Sequence, residues 1–589
     1  MTHPLHGFTA PEPILVLADA GAPPPPFGEV VEVASLNGSP VKRGQKSVLL
    51  VTADRASLRR LASALPRLGQ VRVVACWLHA ATSPLVVAPR PEWPALTSAM
   101  AREADQGVLT VLRFAAPVPA HQVLAEMARQ AVPAPLAAGS VGHGGLVASY
   151  AGRPAAAGLD PRAVLLGDAA DAGDSERDVP PDVVVVRDDR TLAEGSVGVP
   201  SSRTIPAHHV IGRAPTVVTE PGVEPVDELV VNPRGWRKDW EQPVADAAGL
   251  GLGDTLREAD LPRLRALQGV AVRLGETPSR LVAALAMSGV PLLAEGDDPR
   301  LADTLRKALA ERPDLDDPLA REEHSVTTRR AALRAHSTLA WRESLAAQAG
   351  VRFVAQPKVS VLLATVRPHQ LDFALRQIAR QRDADLELVV STHGFAADPA
   401  HVRAALGDRP FTLLDHPADA FFGDVLDAAA SAATGDVLLK VDDDDWYSPH
   451  VVGDLLLARR YSGAEVVGMP SEFVYLQELG VTAQRNHPTE VFNRFVAGGT
   501  IMIDRQVLRS VGGFRRVRRF VDAQLLDAVQ AAGGSIYRAH GLGYVLRRTG
   551  SGHTWQSDPE SFRRPEILAR QWPGFHASRE LEVDERDLP

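Results

Sequence analysis

The sequence predicts a multidomain protein of the α/β class. Its 589 residues include 45% hydrophobic residues, which is enough to form several buried cores. Short runs rich in β-branched residues alternate with stretches of helical composition, as they do in βαβ units. From Pro357 onward the alternation becomes regular, strand then helix then strand, and this favours a right-handed parallel sheet.

The first segment, residues 1–179, is predicted to form a Rossmann-like α/β domain. Four short β-branched runs, at residues 14–17, 47–52, 71–76 and 108–114, are separated by stretches of helical composition. This alternation is typical of strands connected through helices. We therefore expect a sheet covered by helices in this part of the chain.

A second α/β domain with a helical end is predicted for residues 180–350. A strand at 270–274 is followed by a helix at 278–287, and a turn at 289–291 leads into the next strand. The stretch 303–350 is rich in Ala, Leu, Arg and Glu and is expected to be helical. The following charged or polar residues of this stretch are expected on a solvated helix face: His324, Arg329, Arg330 and His336.

The third predicted domain covers residues 357–589. It opens with a strand at 358–365, a helix at 371–382 and a second strand at 386–390. A later apolar strand, 437–441, runs directly into four consecutive aspartates. Parallel α/β sheets place their ligand sites at the carboxyl ends of strands, so the aspartates stand where a site is expected.

The four aspartates, Asp442 to Asp445, are the main chemical signal of the chain. Adjacent carboxylates repel one another, and a fold tolerates them most readily when a hard divalent cation binds there with phosphate and water oxygens. A surface loop of solvated acids is the alternative interpretation. The apolar strand before the cluster and Trp446-Tyr447 after it favour a binding site.

This part of the chain resembles a family 2 glycosyltransferase with the GT-A nucleotide-diphospho-sugar transferase fold. The resemblance covers residues 357–553. A lone Asp-x-Asp would be a weak signal, but several motifs follow one another at the family's spacing. They are, in chain order, Thr365-Val366-Arg367-Pro368, Ala432-Ala433-Thr434-Gly435-Asp436-Val437, the aspartate cluster with Trp446 and Pro449, Gly498-Gly499-Thr500, Gly512-Gly513-Phe514 and Val521-Asp522.

The resemblance implies a nucleotide-diphospho-sugar donor and a Mn²⁺ or Mg²⁺ ion that bridges its two phosphates. Asp442 and Asp444 correspond to the family's metal-site pair, with Asp444 as the direct ligand. Asp442 or Asp443 would then contact the ribose or the metal-bound waters. A solvated acid or a helix cap is the alternative for any one of the four. The further residues implied in donor binding are Thr365, Arg367, Ser391, Gly498 and Gly499.

An inverting transferase also needs a base that takes the proton from the acceptor hydroxyl. Asp522 matches the family's base by position, and its alternative role is an amino-terminal cap for a helix at 523–532. A basic loop precedes it and would help to bind an anionic donor or acceptor. His553 is implied as a metal ligand or a diphosphate contact, with an ordinary surface histidine as the alternative.

One departure from the family pattern concerns the nucleobase. Many members carry an acidic pair after the second strand, whereas this chain has Ser391-Thr392-His393-Gly394 there. Base recognition is therefore expected from Ser391, Thr392, a backbone group or Arg367. The pattern leaves the identity of the nucleotide open.

Composition excludes several other classes of protein. The formal net charge is -9 at pH 7, and no long basic block is interleaved with aromatic residues, so we expect no nucleic-acid partner. Cys76 is the only cysteine, which rules out an intramolecular disulfide and fits a reducing compartment. Without a leader-like start or an apolar run of roughly 18 residues, the chain is expected to be cytoplasmic, with any membrane contact peripheral, at the inner face.

The sequence thus predicts a bacterial glycosyltransferase that acts on a glycan or lipid-linked acceptor in surface-polysaccharide synthesis. Residues 270–294 weakly resemble the carboxyl-terminal half of two-Rossmann, GT-B type glycosyltransferases, so a bifunctional enzyme with a second active site is one alternative. A noncatalytic binding or scaffold module in the amino-terminal region is another. A nucleotidyltransferase also pairs acids with a metal, but the loop after the strand ending at Thr365 lacks the glycine-rich pattern of that class.

Overall fold

The computed structural model describes residues 8–131 with short interruptions, three isolated strands between residues 148 and 219, and most of the chain from residue 222 onward. After residue 222 the gaps are residue 255 and residues 350–356 and 550–557. The described residues form several separate sheets with associated helices. The predicted multidomain α/β class is therefore confirmed.

The amino-terminal part contains a six-stranded sheet in the order β2-β1-β3-β4-β6-β5. Its strands are β1 (Ile14–Ala18), β2 (Glu29–Glu32), β3 (Ser47–Thr52), β4 (Gln70–Leu78), β5 (Leu96–Ala104) and β6 (Gly107–Pro119). The first four are parallel, as in a Rossmann-like half, whereas β5 and β6 form an antiparallel edge. Helix α1 (Ala120–Ala131) packs its apolar side chains into the core of this sheet.

Two small parallel sheets follow. The strands of the first are β7 (Ala148–Tyr150), β8 (Val183–Val186) and β9 (Thr216–Thr219), and those of the second are β10 (Ala245–Asp246), β11 (Val270–Leu274) and β12 (Leu292–Gly296). The helices of this part are α2 (Leu261–Arg265), α3 (Ser279–Met287), α4 (Asp303–Leu309), α5 (Pro318–His336) and α6 (Thr338–Ala349). The strand, helix and strand predicted at residues 270–294 are present.

The carboxyl-terminal part is built on an eight-stranded sheet in the order β15-β14-β13-β16-β22-β18-β23-β21. Its strands are β13 (Val359–Thr365), β14 (Leu386–His393), β15 (Phe411–His416), β16 (Val437–Val441), β18 (Val466–Gly468), β21 (Val491–Phe492), β22 (Met502–Asp504) and β23 (Ile536–Arg538). The β15-β14-β13-β16 half is parallel, and β22 then pairs antiparallel with β16. The sheet thus has a parallel half and an antiparallel continuation.

Helices flank this sheet, and a second sheet adjoins it. The helices are α7 (Leu371–Ala379), α8 (Pro399–Leu406), α9 (Phe422–Ala432), α10 (Val451–Ser462), α11 (Arg505–Ser510) and α12 (Val521–Ala531). The second sheet has the order β17-β24-β19-β20-β25 and contains β17 (Trp446–Tyr447), β19 (Phe473–Leu476), β20 (Val481–Arg485), β24 (Tyr544–Arg548) and β25 (Leu568–Pro573). No helix among the described residues is both long enough and apolar enough to cross a membrane.

Residues 222–349 and residues 357–544 share one hydrophobic core. Leu285 and Met287 of α3 belong to the same buried cluster as Leu363 of β13 and Leu455 of α10. Buried apolar area is a major source of folding free energy. The two segments therefore stabilise each other rather than only meeting at a linker.

Charged residues of α5 lie inside this shared interface. Arg329 is almost fully buried and pairs with Glu490, and Arg330 pairs with Asp454 and Glu580 at 2.7 Å each. His324 and His336 are buried as well. The expectation of a solvated helix face was wrong, because acidic residues from the carboxyl-terminal part supply the partners that a buried arginine requires.

Replacing Arg329 with methionine should destabilise the protein strongly. The variant keeps a long side chain but leaves Glu490 without its cation in a fully buried position, which typically costs about 3–5 kcal/mol. We expect a clear fall in the urea midpoint of the unfolding transition, measured on the full chain by tryptophan fluorescence. The matched control is Arg312→Met, which removes an exposed pair with Glu295 and should leave the midpoint unchanged. Equal midpoints for the two variants would contradict the role of the buried pair.

Candidate active site

The aspartate cluster lies at the carboxyl end of the parallel half of the sheet. β16 is paired in parallel with β13, and their last paired residues are Val441 and Leu363. The chain leaving β16 therefore passes beside the end of β13, where Thr365 and Arg367 stand. The sheet brings together two of the sequence motifs that are separated by more than 70 residues.

Thr365 and Arg367 both contact the middle of the cluster. The Thr365 hydroxyl donates a hydrogen bond to Asp443, and the Arg367 guanidinium contacts both carboxylate oxygens of Asp443. Arg367 Nη1 also donates to Asp444 Oδ2 at 2.9 Å. The predicted donor-binding residues Thr365, Arg367 and Asp443 thus form one hydrogen-bonded group with the predicted metal ligand.

Asp444 and Asp445 are buried, and this affects their protonation. Burial raises the pKa of the Asp444 carboxyl, Arg367 opposes that rise, and the charges of Asp443 and Asp442 add to it. Burial also raises the pKa of Asp445 well above its usual value, and its acidic neighbours raise it further. Crowded carboxylates of this kind are stabilised in the ionised form by a nearby cation.

Asp445 also has protein partners. The Tyr544 hydroxyl donates to its Oδ2 at 2.5 Å, and the backbone N–H of Arg547 donates to its Oδ1 at 2.8 Å. These bonds tie the cluster to β24 in the second sheet, where β17 also pairs. Asp445 is therefore anchored by β24.

Asp442 is the most exposed of the four aspartates, and 35% of its side chain is accessible to solvent. Its Oδ1 accepts from the Lys440 ammonium at 2.6 Å, and its backbone N–H donates to the Tyr447 hydroxyl at 2.8 Å. Tyr447 is buried below it. The Lys440 ammonium therefore binds Oδ1 of Asp442, whereas Oδ2 lies near Gly499.

Gly498 and Gly499 allow close approach between the carboxylates. A Cβ atom at Gly499 would lie 2.6 Å from the Tyr447 hydroxyl, 3.0 Å from Asp442 Oδ2 and 3.2 Å from Asp445 Oδ2. A Cβ atom at Gly498 would lie 2.1 Å from Asp522 Oδ2. Both positions require a residue without a side chain, since these distances are shorter than or close to van der Waals contact. The structure gives these glycines a steric role in shaping the site.

Asp522 lies in the first turn of α12 and faces the cluster. Its Oδ1 is 3.4 Å from the Lys440 ammonium, and its side chain is 29% exposed. The residue before the helix, Phe520, has a left-handed backbone, and no side chain among the described residues caps this helix end. Burial raises the pKa of the Asp522 carboxyl, Lys440 opposes the rise and Asp442 adds to it. The contact with Lys440 is not one that a helix cap would make.

One predicted site residue, Ser391, does not join this group. Ser391 is fully buried in β14, which extends to His393 because its pairing with β13 and β15 continues past the predicted end. Its hydroxyl makes no hydrogen bond to any described residue. Thr392 instead donates to Asp415 at 2.7 Å. His553 lies outside the described residues, and its role stays a prediction.

The carboxylate oxygens of the cluster are the type of ligand that a hard divalent cation prefers. Among the described residues, no three or more His, Cys, Asp or Glu side chains are arranged as a preformed metal site. Mg²⁺, however, is usually held by one or two carboxylates together with substrate phosphates rather than by an all-protein cage. Asp442 and Asp444 supply carboxylate oxygens, and Gly499, without a Cβ atom, lies close to Asp442 Oδ2 and Asp445 Oδ2. These carboxylate oxygens are ligands of the type that Mn²⁺ or Mg²⁺ prefers.

Lys440, Tyr447 and Tyr544 are site residues that the sequence prediction missed. A lysine within the apolar strand Val437–Val441 was a readable signal, because an unpaired buried ammonium is costly. Tyr447 was visible only as part of the aromatic pair after the cluster. Tyr544 gave no signal, since it reaches Asp445 from 99 residues further along the chain.

Comparison with known proteins returned no matching family model and no curated protein of similar sequence. Several solved structures are similar at 15% sequence identity. The mannosyltransferase PcManGT from Pyrobaculum calidifontis, in complex with GDP-Man and Mn²⁺, has a TM-score of 0.26, with 34% of this chain and 58% of that chain covered. S. aureus TarS 1-349 in complex with UDP-GlcNAc has a TM-score of 0.28, with 35% and 63% covered. The chain thus spans less than two thirds of the length of these solved chains.

Proposed function

We propose that this protein is an inverting, family 2-like glycosyltransferase that uses a nucleotide-diphospho-sugar donor and a divalent cation. The observation that carries the proposal is the shared environment of Asp442 and Asp522. Both carboxylates lie within ion-pair distance of the single Lys440 ammonium, at 2.6 and 3.4 Å. This proximity supports the assignment of Asp442 to the donor side and of Asp522 to the acceptor side, because a displacement at an anomeric carbon requires the two to be adjacent.

The residues of the site have separate tasks in this proposal. Asp442 and Asp444 would hold Mn²⁺ or Mg²⁺, which would neutralise charge on the departing diphosphate when it is bound. Arg367, already placed beside Asp443 and Asp444, would contact the donor phosphates. Asp522 would take the proton of the acceptor hydroxyl. Gly498 and Gly499 would let the backbone approach the sugar closely, since neither residue carries a Cβ atom.

The acceptor and the place of action belong to the same proposal. We retain a glycan or lipid-linked acceptor and a cytoplasmic site of action at the inner membrane face, in the synthesis of a cell-surface polysaccharide. For residues 222–349 we propose a supporting role rather than a second active site. The support is the core they share with residues 357–544 and the buried pairs of Arg329 and Arg330 across that interface.

A donor screen tests the proposed function. The full chain is incubated with UDP-GlcNAc, GDP-Man and other nucleotide sugars, and release of the nucleoside diphosphate is measured with Mn²⁺, with Mg²⁺ and with a chelator. We expect release only in the presence of added cation, because the cluster offers hard oxygen ligands. The negative control is a variant with both Asp442→Ala and Asp444→Ala.

Two results would contradict the proposal in different ways. Full turnover in chelator would remove the metal from the mechanism while keeping the transfer. Absence of binding and of turnover for every nucleotide sugar in the presence of metal would remove the transferase assignment itself. The anomeric configuration of the product, followed by NMR, tests inversion separately.

A further inference from the structure

Lys440 is an unusual residue in an otherwise apolar strand. It is the penultimate residue of β16, between Leu439 and Val441, and only 2% of its side chain is exposed. Burial by itself would lower the pKa of this ammonium, but the charges of Asp442 and Asp522 outweigh that effect and raise the pKa.

The ammonium group reaches three acceptors. Lys440 Nζ lies 2.6 Å from Asp442 Oδ1, 3.3 Å from the carbonyl oxygen of Gly498 and 3.4 Å from Asp522 Oδ1. The contacts with Asp442 and Gly498 are hydrogen bonds, and Asp522 Oδ1 lies at ion-pair distance. They also come from three different elements: the cluster loop, the Gly498 turn and helix α12.

Asp522 has the Lys440 ammonium near one carboxylate oxygen and Gly498 near the other. Its Oδ1 faces Lys440, and its Oδ2 packs where a Cβ atom at Gly498 would lie 2.1 Å away. The helix that carries Asp522 begins after the left-handed residue Phe520, and no side chain in the described part of the chain caps it. Without the lysine, the like charges of Asp442 and Asp522 would repel each other across the site.

We propose that Lys440 is a positioning residue that holds the Asp522 carboxylate in a fixed place relative to Asp442. The proposal rests on the function proposed above. In the transfer, the bond between the anomeric carbon and the diphosphate oxygen breaks, and a bond to the acceptor oxygen forms. The acceptor proton passes to Asp522, and the diphosphate leaves with the bonding electron pair. Lys440 neither gains nor loses a proton. It acts only by holding Asp522 in position.

The test is the substitution Lys440→Met, assayed by release of nucleoside diphosphate from the donor that the wild-type protein uses. Since a displacement of about 1 Å can cost roughly 100-fold in rate, we expect kcat to fall by about that factor. The affinity for the free nucleoside diphosphate in Mn²⁺ should fall by a smaller factor than kcat, because Lys440 also contacts the proposed metal ligand Asp442. The matched control is Lys358→Met, which removes a lysine paired with Glu387 and Thr434 at the other end of the sheet and should keep kcat.

A double-mutant cycle shows whether Lys440 acts through Asp522. If it does, the variant with both Lys440→Met and Asp522→Asn should be no slower than Asp522→Asn alone. A double variant whose kcat falls by the product of the two single-variant factors would overturn the proposal. A wild-type kcat for Lys440→Met would overturn it as well. If the methionine variant does not fold, Lys440→Gln, which keeps an amide donor, replaces it in the same cycle.

Failure of this proposal can be told apart from failure of the proposed function. A wild-type protein that releases no nucleoside diphosphate from any donor would contradict the transferase function. An active wild-type protein, a slow Asp522→Asn variant and a fast Lys440→Met variant would contradict only the positioning role. The positioning role would also be overturned if donor affinity and kcat fell by the same factor in a folded Lys440→Met variant, because a donor-binding role would then explain the loss.

Discussion

The Asp522→Asn variant should turn over the donor roughly 100-fold to 10,000-fold more slowly than the wild-type protein, the range typical of lost acid–base catalysis. Asparagine keeps the size of the side chain and most of its hydrogen bonding but cannot accept the acceptor proton. Donor affinity should barely change, because Asp522 faces the site from α12 rather than from the end of β13 or β16. Turnover and donor affinity are measured on the same preparation.

A control on the same helix separates catalysis from helix stability. Asp527→Asn makes the same chemical change at an exposed position of α12 and should leave turnover unchanged. If Asp522 only stabilised the helix terminus, asparagine would serve almost equally well, and both variants would resemble the wild type. A near-wild-type rate for Asp522→Asn would remove this residue from the mechanism.

The Asp444→Asn variant should lose most of the metal-dependent affinity for nucleoside diphosphates and nucleotide sugars. The fold should be kept, since the amide oxygen of the substituted side chain can still accept from Arg367 Nη1, as Asp444 Oδ2 does at 2.9 Å. Changes next to metal ligands typically cost about 10-fold to 100-fold in metal affinity, so loss of a ligand should cost at least as much. Calorimetric titration of a nucleoside diphosphate with Mn²⁺ and with chelator measures the effect.

The matched control for this variant is Asp436→Asn. Asp436 lies just before the same strand, β16, at its opposite end, and its side chain is 76% exposed. Its amide variant should bind the nucleoside diphosphate in Mn²⁺ as the wild type does. Unchanged Mn²⁺-dependent binding in Asp444→Asn would mean that the cation is held by other residues.

Much of the site could be predicted because its signals are local in the chain. The apolar strand that ends in aspartates placed the cluster at the carboxyl end of a parallel strand, and in the structure β16 ends at Val441. The glycine pair and Asp522 were recognisable from the order of the motifs. In the structure Thr365, Arg367, Gly498 and Asp522 all lie against the cluster or against Lys440.

Other features could not be predicted from local patterns. Whether Arg329 is solvated or buried depends on Glu490, which lies 161 residues further along the chain. Ser391 was expected to face the donor, but the strand continues past it and buries its side chain. The contact of Lys440 with Asp522 likewise requires α12 to pack beside β16.

The sequence by itself determined the α/β class, the strand and helix pattern of the carboxyl-terminal part and the place of the acidic cluster, because hydrophobic periodicity and strand ends are local properties. Only the tertiary structure decided which charges are paired: Arg367 with Asp443 and Asp444, and Lys440 with Asp442 and Asp522. The physical reason is that a charge can be buried only beside a partner, and the partners come from distant parts of the chain.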